Sequence, residues 1–275
     1  MLPSFAIPFR SGDSPTLQQC LAKILLPRTF DLYKDIHWEQ AAGELQTPHL
    51  SYPNYYLVPH HGVKAGYLSY QQAAGWEAVE HLFRIPRVRP SVVQMARDTY
   101  PRTIVDLGCG TALTSIELVR SLPQAQLSLV DLSPYALVAA RRQVQQAGIA
   151  AHITYLHADA AHTPLADNSI DLVLVSLLLH ELPYENAREV LLEARRLLRD
   201  DGHLIIFDPI QCAVPWPSLD RAVNRALMHM MHEVYWMDYA TNPVWNTCQE
   251  TGFHNIQRQL LFALPWIYQV VHVTK

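Results

Sequence analysis

Short runs of β-branched and leucine residues alternate, from residue 103 onward, with longer segments whose apolar positions recur every three or four residues. The runs at 103–107, 126–130, 152–156, 170–175 and 203–207 predict five strands, and the intervening segments predict helices. The helix over 185–198 is the clearest. Ala187, Val190, Leu191, Ala194, Leu197 and Leu198 share one face, while Arg188, Glu189 and Arg195 point away. A second helix is bounded by Ser133 as its cap, Pro134 in its first turn and Gly148 at its end. Strands alternating with helices predict a parallel sheet covered on both faces, a doubly wound α/β fold.

The regularity breaks on either side of this unit. After residue 207 come the segment "PIQCAVPWP" and a Met- and aromatic-rich stretch read as a helix over 219–239. The chain then closes with "FHNIQRQLLFALPWIYQVVHVTK", two apolar stretches joined at Leu264 and Pro265. This reads as an antiparallel hairpin at or near a sheet edge, which completes a mostly parallel, seven-stranded sheet. Ahead of residue 101, a short helix from Ser14 to Pro27, the loop "TPHLSYPNYYLVPHHG" and the helix "SYQQAAGWEAVEHLF" predict an N-terminal helical cap without strands. The expected organisation is a cap over 1–100 and a Rossmann-like domain over 101–275, with a cap insertion at about 208–250.

The chain of 275 residues is 49% hydrophobic and 17% charged, enough apolar material for one full core. The net charge of −4 offers no broad positive field for a phosphate backbone, so no nucleic-acid partner is expected. Cys20, Cys109, Cys212 and Cys248 lie far apart with no CxxC pair, which argues against a zinc knuckle or a disulfide framework and fits a reducing, cytoplasmic compartment. The N-terminus lacks a basic region followed by an apolar stretch, and the run over 172–179 is too short to span a bilayer.

The chemistry concentrates in "IVDLGCGTALTSIELV", where a strand delivers Asp106 into a turn stripped of bulk at Gly108 and Gly110. A dinucleotide site of GxGxxG type needs a third glycine where this chain has Leu113, so that fingerprint fails. An acidic residue two positions before the first glycine suits a cationic ligand and would repel a pyrophosphate. Asp131 ends the second strand, 25 residues after Asp106, and Asp159 follows the third in "LHADAAHTPLADNSIDLVLVS".

This ordered set resembles the class I S-adenosylmethionine-dependent methyltransferases, and "PLADNSIDLV" with "LLEARRLLRDDGHLIIFD" is similar to their quinone and sterol small-molecule type. The resemblance covers roughly 103–208. It implies that Gly108, Cys109 and Gly110 admit the methionine and ribose part of S-adenosyl-L-methionine, and that Asp106 faces its ammonium end. It further implies that Asp131, followed by Leu132, accepts the ribose hydroxyls, that Asp159 and the amide of Ala160 read the adenine, and that Ser176 lies beside the reacting centre. Ala112 stands where many members carry a third glycine.

The implied activity is in-line transfer of a methyl group to a small, apolar or aromatic acceptor. The methyl carbon is already electrophilic, so the reaction needs mainly alignment, plus a base if the acceptor is a phenol, hydroxyl or ring carbon. His180, at the end of "LVLVSLLLHEL", is the best placed base, with His61, His60, Glu181 and Asp208 as lesser candidates. His229, His232 and Glu233 have a spacing that could seat a metal, but no third ligand is in view and an ordinary helix face is expected. The residues after the fourth strand, Ser176-Leu177-Leu178-Leu179, lack the prolines and aromatic residue of families that methylate adenine or glutamine amides. Met228, Met230, Met231, Tyr235, Trp236 and Tyr239 are candidates to line an acceptor pocket with the Tyr and His loop. Two alternatives stand: an NAD(P)-dependent oxidoreductase, and a non-catalytic S-adenosylmethionine-binding scaffold.

Overall fold

The computed structural model describes residues 31–61, 63, 65–149, 152–211, 233–264 and 266–275. Seven strands, β1 (Thr103–Leu107), β2 (Gln126–Asp131), β3 (Ile153–His157), β4 (Ile170–Ser176), β5 (Leu198–Pro209), β6 (His254–Ala263) and β7 (Trp266–Thr274), form one sheet in the order β3-β2-β1-β4-β5-β7-β6. The first five are mutually parallel, and β7 runs antiparallel to both β5 and β6. The hairpin inserts its second arm because only that arm can be buried on both sides. In β7, Tyr268 and Val270 pack on one face and Val271 and Val273 on the other. β6, by contrast, exposes His254, Asn255, Gln257 and Gln259, polar groups that suit a sheet edge.

Alternation along the strands builds two cores. Ile104, Leu127, Leu129, Leu172, Leu174, Ile205 and Phe207 face α3 (Arg89–Arg97), α4 (Leu113–Ser121) and α5 (Pro134–Ala147). Val105, Leu107, Val173, Val175, Leu204 and Ile206 face α6 (Tyr184–Leu197) and the short α7 (Trp236–Thr241) and α8 (Val244–Glu250). Each such side chain contributes about 1.5–3 kcal/mol by leaving water. Ser133 caps α5 by accepting from Ala136 N at 3.2 Å, and Gly148 ends it at φ 70°. Ahead of the sheet, α1 (Trp38–Leu45) and α2 (Tyr70–Leu82) lie against the outer face of α5, where Trp38, Ala42 and Ala73 pack on Tyr135, Val138 and Ala139.

Three expectations differ from this picture. α1 and α3, of eight and nine residues, carry no side-chain cap and give little sequence signal. β5 starts at Leu198, five residues earlier than expected, because a register shift against β4 between Ile170 and Leu172 absorbs the "RDDG" stretch. The helix expected over 219–239 does not run through. Residues 233–235 are non-helical and α7 starts afresh at Trp236, while Tyr235 turns its ring edge-on to Tyr55. The segments 14–27 and 219–232, with Cys20, Cys212, Met228, His229, Met230, Met231 and His232, lie outside the described residues. No helix among the described residues is long and apolar enough to cross a membrane.

Candidate active site

The carboxyl ends of β1, β2, β3 and β4 open into a hollow of about 1140 Å³, partly open to solvent. Its walls hold Asp106, Gly108, Cys109, Gly110, Asp131, Leu132, Asp159, Ala160 and Ser176, so every residue expected around the cofactor converges there. The glycines are required by the backbone. Gly108 has φ 71°, and an added Cβ would lie 2.7 Å from the Leu178 side chain; Gly110 has φ 52° and faces open space. Ala112, at the start of α4, also adopts φ 60°, which explains why a glycine suits this position.

Asp131 accepts the amides of Gly110 at 2.8 Å and Ser133 at 2.7 Å, fixing its carboxylate at the hollow's floor. Burial pushes its pKa up to about 6, partly offset by the Ser133 and Gly110 amides. Asp106 is fully buried and accepts Ser115 Oγ at 2.6 Å through Oδ2, leaving Oδ1 with no hydrogen-bond partner. Burial raises Asp106 to about 7, the Ser115 bond lowers it, and the Asp131 charge adds to the rise. An orphaned carboxylate oxygen beside a glycine turn fits the ammonium group of S-adenosylmethionine. Asp159 is held by accepting the Ala161 amide at 2.9 Å. Cys109 stays a thiol, since burial and the nearby Asp131 and Asp106 push its pKa well up.

A second cavity of about 710 Å³ adjoins the first, and Trp76 and Leu177 line both. Leu177 is in the left-handed region at φ 55°, a strained conformation at the junction. Trp76, Phe83, Trp236, Trp266 and Tyr268 give the second cavity an aromatic lining, while His61, His180 and Glu233 bring polar groups to its wall. Trp76 and Val79 on α2 and Phe83 at its C-cap lie at i, i+3 and i+7, a stripe readable from the sequence as one face. Trp266 lies on β7, and nothing in its own segment signals this contact. Tyr239, expected in the pocket, instead sits in the core, where its hydroxyl donates to Pro209 O at 2.6 Å and accepts from Gln269 Nε2 at 2.9 Å.

The cavities meet at a cluster assembled from four distant segments. His180 Nδ1 lies 2.6 Å from Asp208 Oδ1, and Asp208 also accepts the Leu179 amide at 3.1 Å. His180 Nε2 is 3.3 Å from Glu181 Oε1, and His61 Nε2 is 2.9 Å from that same oxygen. Glu233 Oε1 lies 3.3 Å from His61 Nδ1. Burial would lower both imidazoles, yet the facing carboxylates more than offset it: Asp208 and Glu181 hold His180 well above its usual value, and Glu181 and Glu233 raise His61 to about 10. Glu233, weighed with His229 and His232 from its spacing, is thus found facing His61.

Comparisons with known proteins agree with this geometry. Residues 104–202 match the family model described as a methyltransferase domain. Residues 104–202 therefore form a methyltransferase domain of the class I S-adenosylmethionine-dependent type, whose cofactor is S-adenosylmethionine. Among curated proteins, the chain is 29% identical over 121 residues to a ubiquinone/menaquinone biosynthesis C-methyltransferase of Dinoroseobacter shibae, covering 44% of this chain and 47% of that one. It is 27% identical over 153 residues to a demethylmenaquinone methyltransferase of Listeria welshimeri, covering 55% and 64%. The match thus spans about half to two thirds of these relatives' length. Among solved structures, an O-methyltransferase family protein from Burkholderia thailandensis is similar at a TM-score of 0.62 and 16% identity, covering 94% of this chain and 71% of that one. The N-methyltransferase NodS from Bradyrhizobium japonicum is similar at 0.53 and 15%, covering 70% and 96%. At these identities the structures bear on the fold alone.

Proposed function

We propose that the chain transfers the methyl group of S-adenosylmethionine to a small, planar aromatic acceptor bearing an ionisable hydroxyl. The observation that carries this reading is the shared wall. An aromatic cavity meets the cofactor hollow at Leu177 and Trp76, with His180 on the acceptor side. Aromatic lining with few polar groups favours a flat, apolar ring over a charged metabolite. The demethylmenaquinone relatives, named for methylation of a ring system, support the same acceptor class.

Asp106, Asp131 and Asp159 would bind and orient the cofactor, and the bound cofactor supplies an electrophilic methyl carbon. His180 in its neutral form, which its raised pKa confines to the alkaline side, would receive the proton of the acceptor hydroxyl at Nε2 while Asp208 holds the ring from Nδ1 and stabilises the imidazolium formed. Electron density then develops on the oxygen or, through the ring, on a neighbouring carbon. That atom would take the methyl group the bound cofactor supplies, with the carbon–sulfur pair leaving on sulfur, and at a ring carbon the hydrogen it carried would then be lost as a proton to restore aromaticity. Both outcomes begin with the same proton transfer, so His180 serves O- and C-methylation alike. Seating the pair between aromatic walls excludes water and aligns donor with acceptor.

The test is methyl transfer from radiolabelled S-adenosylmethionine to a panel of naphthols, hydroquinones and catechols alongside their fully O-methylated analogues. Transfer to the free hydroxyl compounds and none to the blocked ones is expected. Equal labelling of both sets, or labelling of neither, would overturn the proposal.

A further inference from the structure

We propose that His61, Glu181 and Glu233 form a binding site for one divalent transition-metal ion, of the Zn²⁺ or Mn²⁺ class, in the wall between the two cavities. One ligand atom from each residue lies within 4.8 Å of the others. They arrive from separate parts of the fold: the loop ahead of α2, the turn after β4 and the chain entering α7. His61 is held in the left-handed region at φ 49°, so the backbone spends strain energy to keep the imidazole there.

Charge and hydrogen bonding both point to a missing cation. Glu181, Glu233 and Asp208 bring three carboxylates and His60, His61 and His180 three imidazoles, so the charges balance without a further cation only if all three rings are protonated. Uncompensated charge at a nearly buried site is costly. Glu181 Oε1, at a residue only 6% exposed, stands close to two imidazoles yet has no hydrogen-bond partner, and Glu233 Oε2 has none either.

His60 supplies the independent sign. It is 1% exposed, and its Nε2 lies 3.2 Å from Tyr55 O, an acceptor. With Nε2 directed at that carbonyl, Nδ1 faces Glu181 Oε2 at 3.6 Å and has no hydrogen-bond partner. A buried nitrogen and a carboxylate oxygen left facing one another across that gap fit a cation near them. The cofactor's sulfonium carries charge but no vacant coordination position or N–H, so it cannot satisfy these atoms.

The donor chemistry selects the ion class. One or two imidazole nitrogens with two carboxylates suit zinc, manganese or iron and disfavour magnesium, which prefers oxygen and water. A divalent ion with two carboxylates and a neutral imidazole is electrically balanced. His61 must release its proton to ligate, so uptake of metal expels a proton to solvent.

The experiment uses tag-free, full-length protein stripped with a chelator and titrated with Zn²⁺, Mn²⁺ or Mg²⁺ alone by calorimetry, in two buffers of different ionisation enthalpy. Saturable uptake of Zn²⁺ or Mn²⁺, with Mg²⁺ far weaker and heats that differ between buffers by a released proton, is expected. Glu233→Gln and Glu181→Gln should each weaken uptake by roughly tenfold or more. Circular dichroism and S-adenosylhomocysteine binding identify variants that remain folded, and Glu233→Gln, at the less buried ligand, keeps the test open if Glu181→Gln does not fold. No saturable uptake, or uptake unchanged in a folded Glu233→Gln protein, would overturn the site. The titration needs neither cofactor nor acceptor, so it stands or falls separately from the methyl-transfer proposal.

Discussion

Asp208, near the carboxyl end of β5, and His180, in the turn after β4, sit 2.6 Å apart, with the carboxylate fully buried and the imidazole at the wall of the second cavity. Asp208 therefore holds the Leu179 amide with one oxygen and the imidazole with the other, fixing the ring's orientation and raising its affinity for a proton. Asp208→Asn keeps a hydrogen bond but removes the charge, and His180→Ala removes the ring. Both should reduce kcat by about 10²–10⁴-fold, while S-adenosylhomocysteine affinity by calorimetry stays within about threefold, a free-energy change below about 0.7 kcal/mol. Parallel loss of both quantities would assign the pair to packing.

Cofactor affinity should weaken in acid. Asp106 and Asp131 have folded values near 7 and 6, above the 3.8 of the unfolded chain. The empty protein consequently loses stability from these groups as pH rises from about 4 to 7, because folding then requires buried carboxylates to ionise. Binding runs the other way, since an ammonium group and ribose hydroxyls need the ionised forms. Affinity for S-adenosylmethionine should drop roughly tenfold or more between pH 8 and pH 5.5. Asp106→Asn should flatten the step near pH 7, and Asp131→Ala should weaken binding by about 1–3 kcal/mol.

Replacing Ala112 with glycine should stabilise the protein. Its φ of 60° strains any side chain, and the substitution relieves about 1 kcal/mol of that strain, less the entropy of a freer unfolded chain. A melting temperature raised by a few degrees would support this, and a lowered one would refute it.

Gly110→Ala separates backbone from ligand effects. The new Cβ meets no protein atom within 4 Å, so stability should fall only by the left-handed penalty of roughly 1–2 kcal/mol. The methyl group would project into the hollow, so cofactor affinity should drop well beyond that cost. Unchanged affinity in a titration would show that nothing approaches this turn.

Trp266→Ala should raise the acceptor KM severalfold with little change in cofactor affinity, since its ring, 4.7 Å from Phe83, lines only the second cavity. A matching loss of cofactor binding would refute that division.

The cofactor half of the site was legible because it is local. Each of Asp106, Asp131 and Asp159 lies at or just after the end of a β-branched run, so a parallel sheet brings them together once the strands are recognised. The second cavity is built by distance in sequence: Trp76, His180, Glu233 and Trp266 meet only through the fold, and no short window of the chain contains two of them. His61 shows the same limit, since its partners Glu181 and Glu233 lie 120 and 172 positions away. The Met-rich stretch misled for a related reason: helical periodicity persists across 233–235, but the packing of Tyr235 on Tyr55 interrupts it.

The interior position of β7 carries a consequence for assembly. β6 precedes it in the chain yet touches the sheet only through it, so β7 alone covers the flank of β5. The register of that single pairing fixes both cores at once, since one slipped residue would turn Val271 and Val273 from one core toward the other.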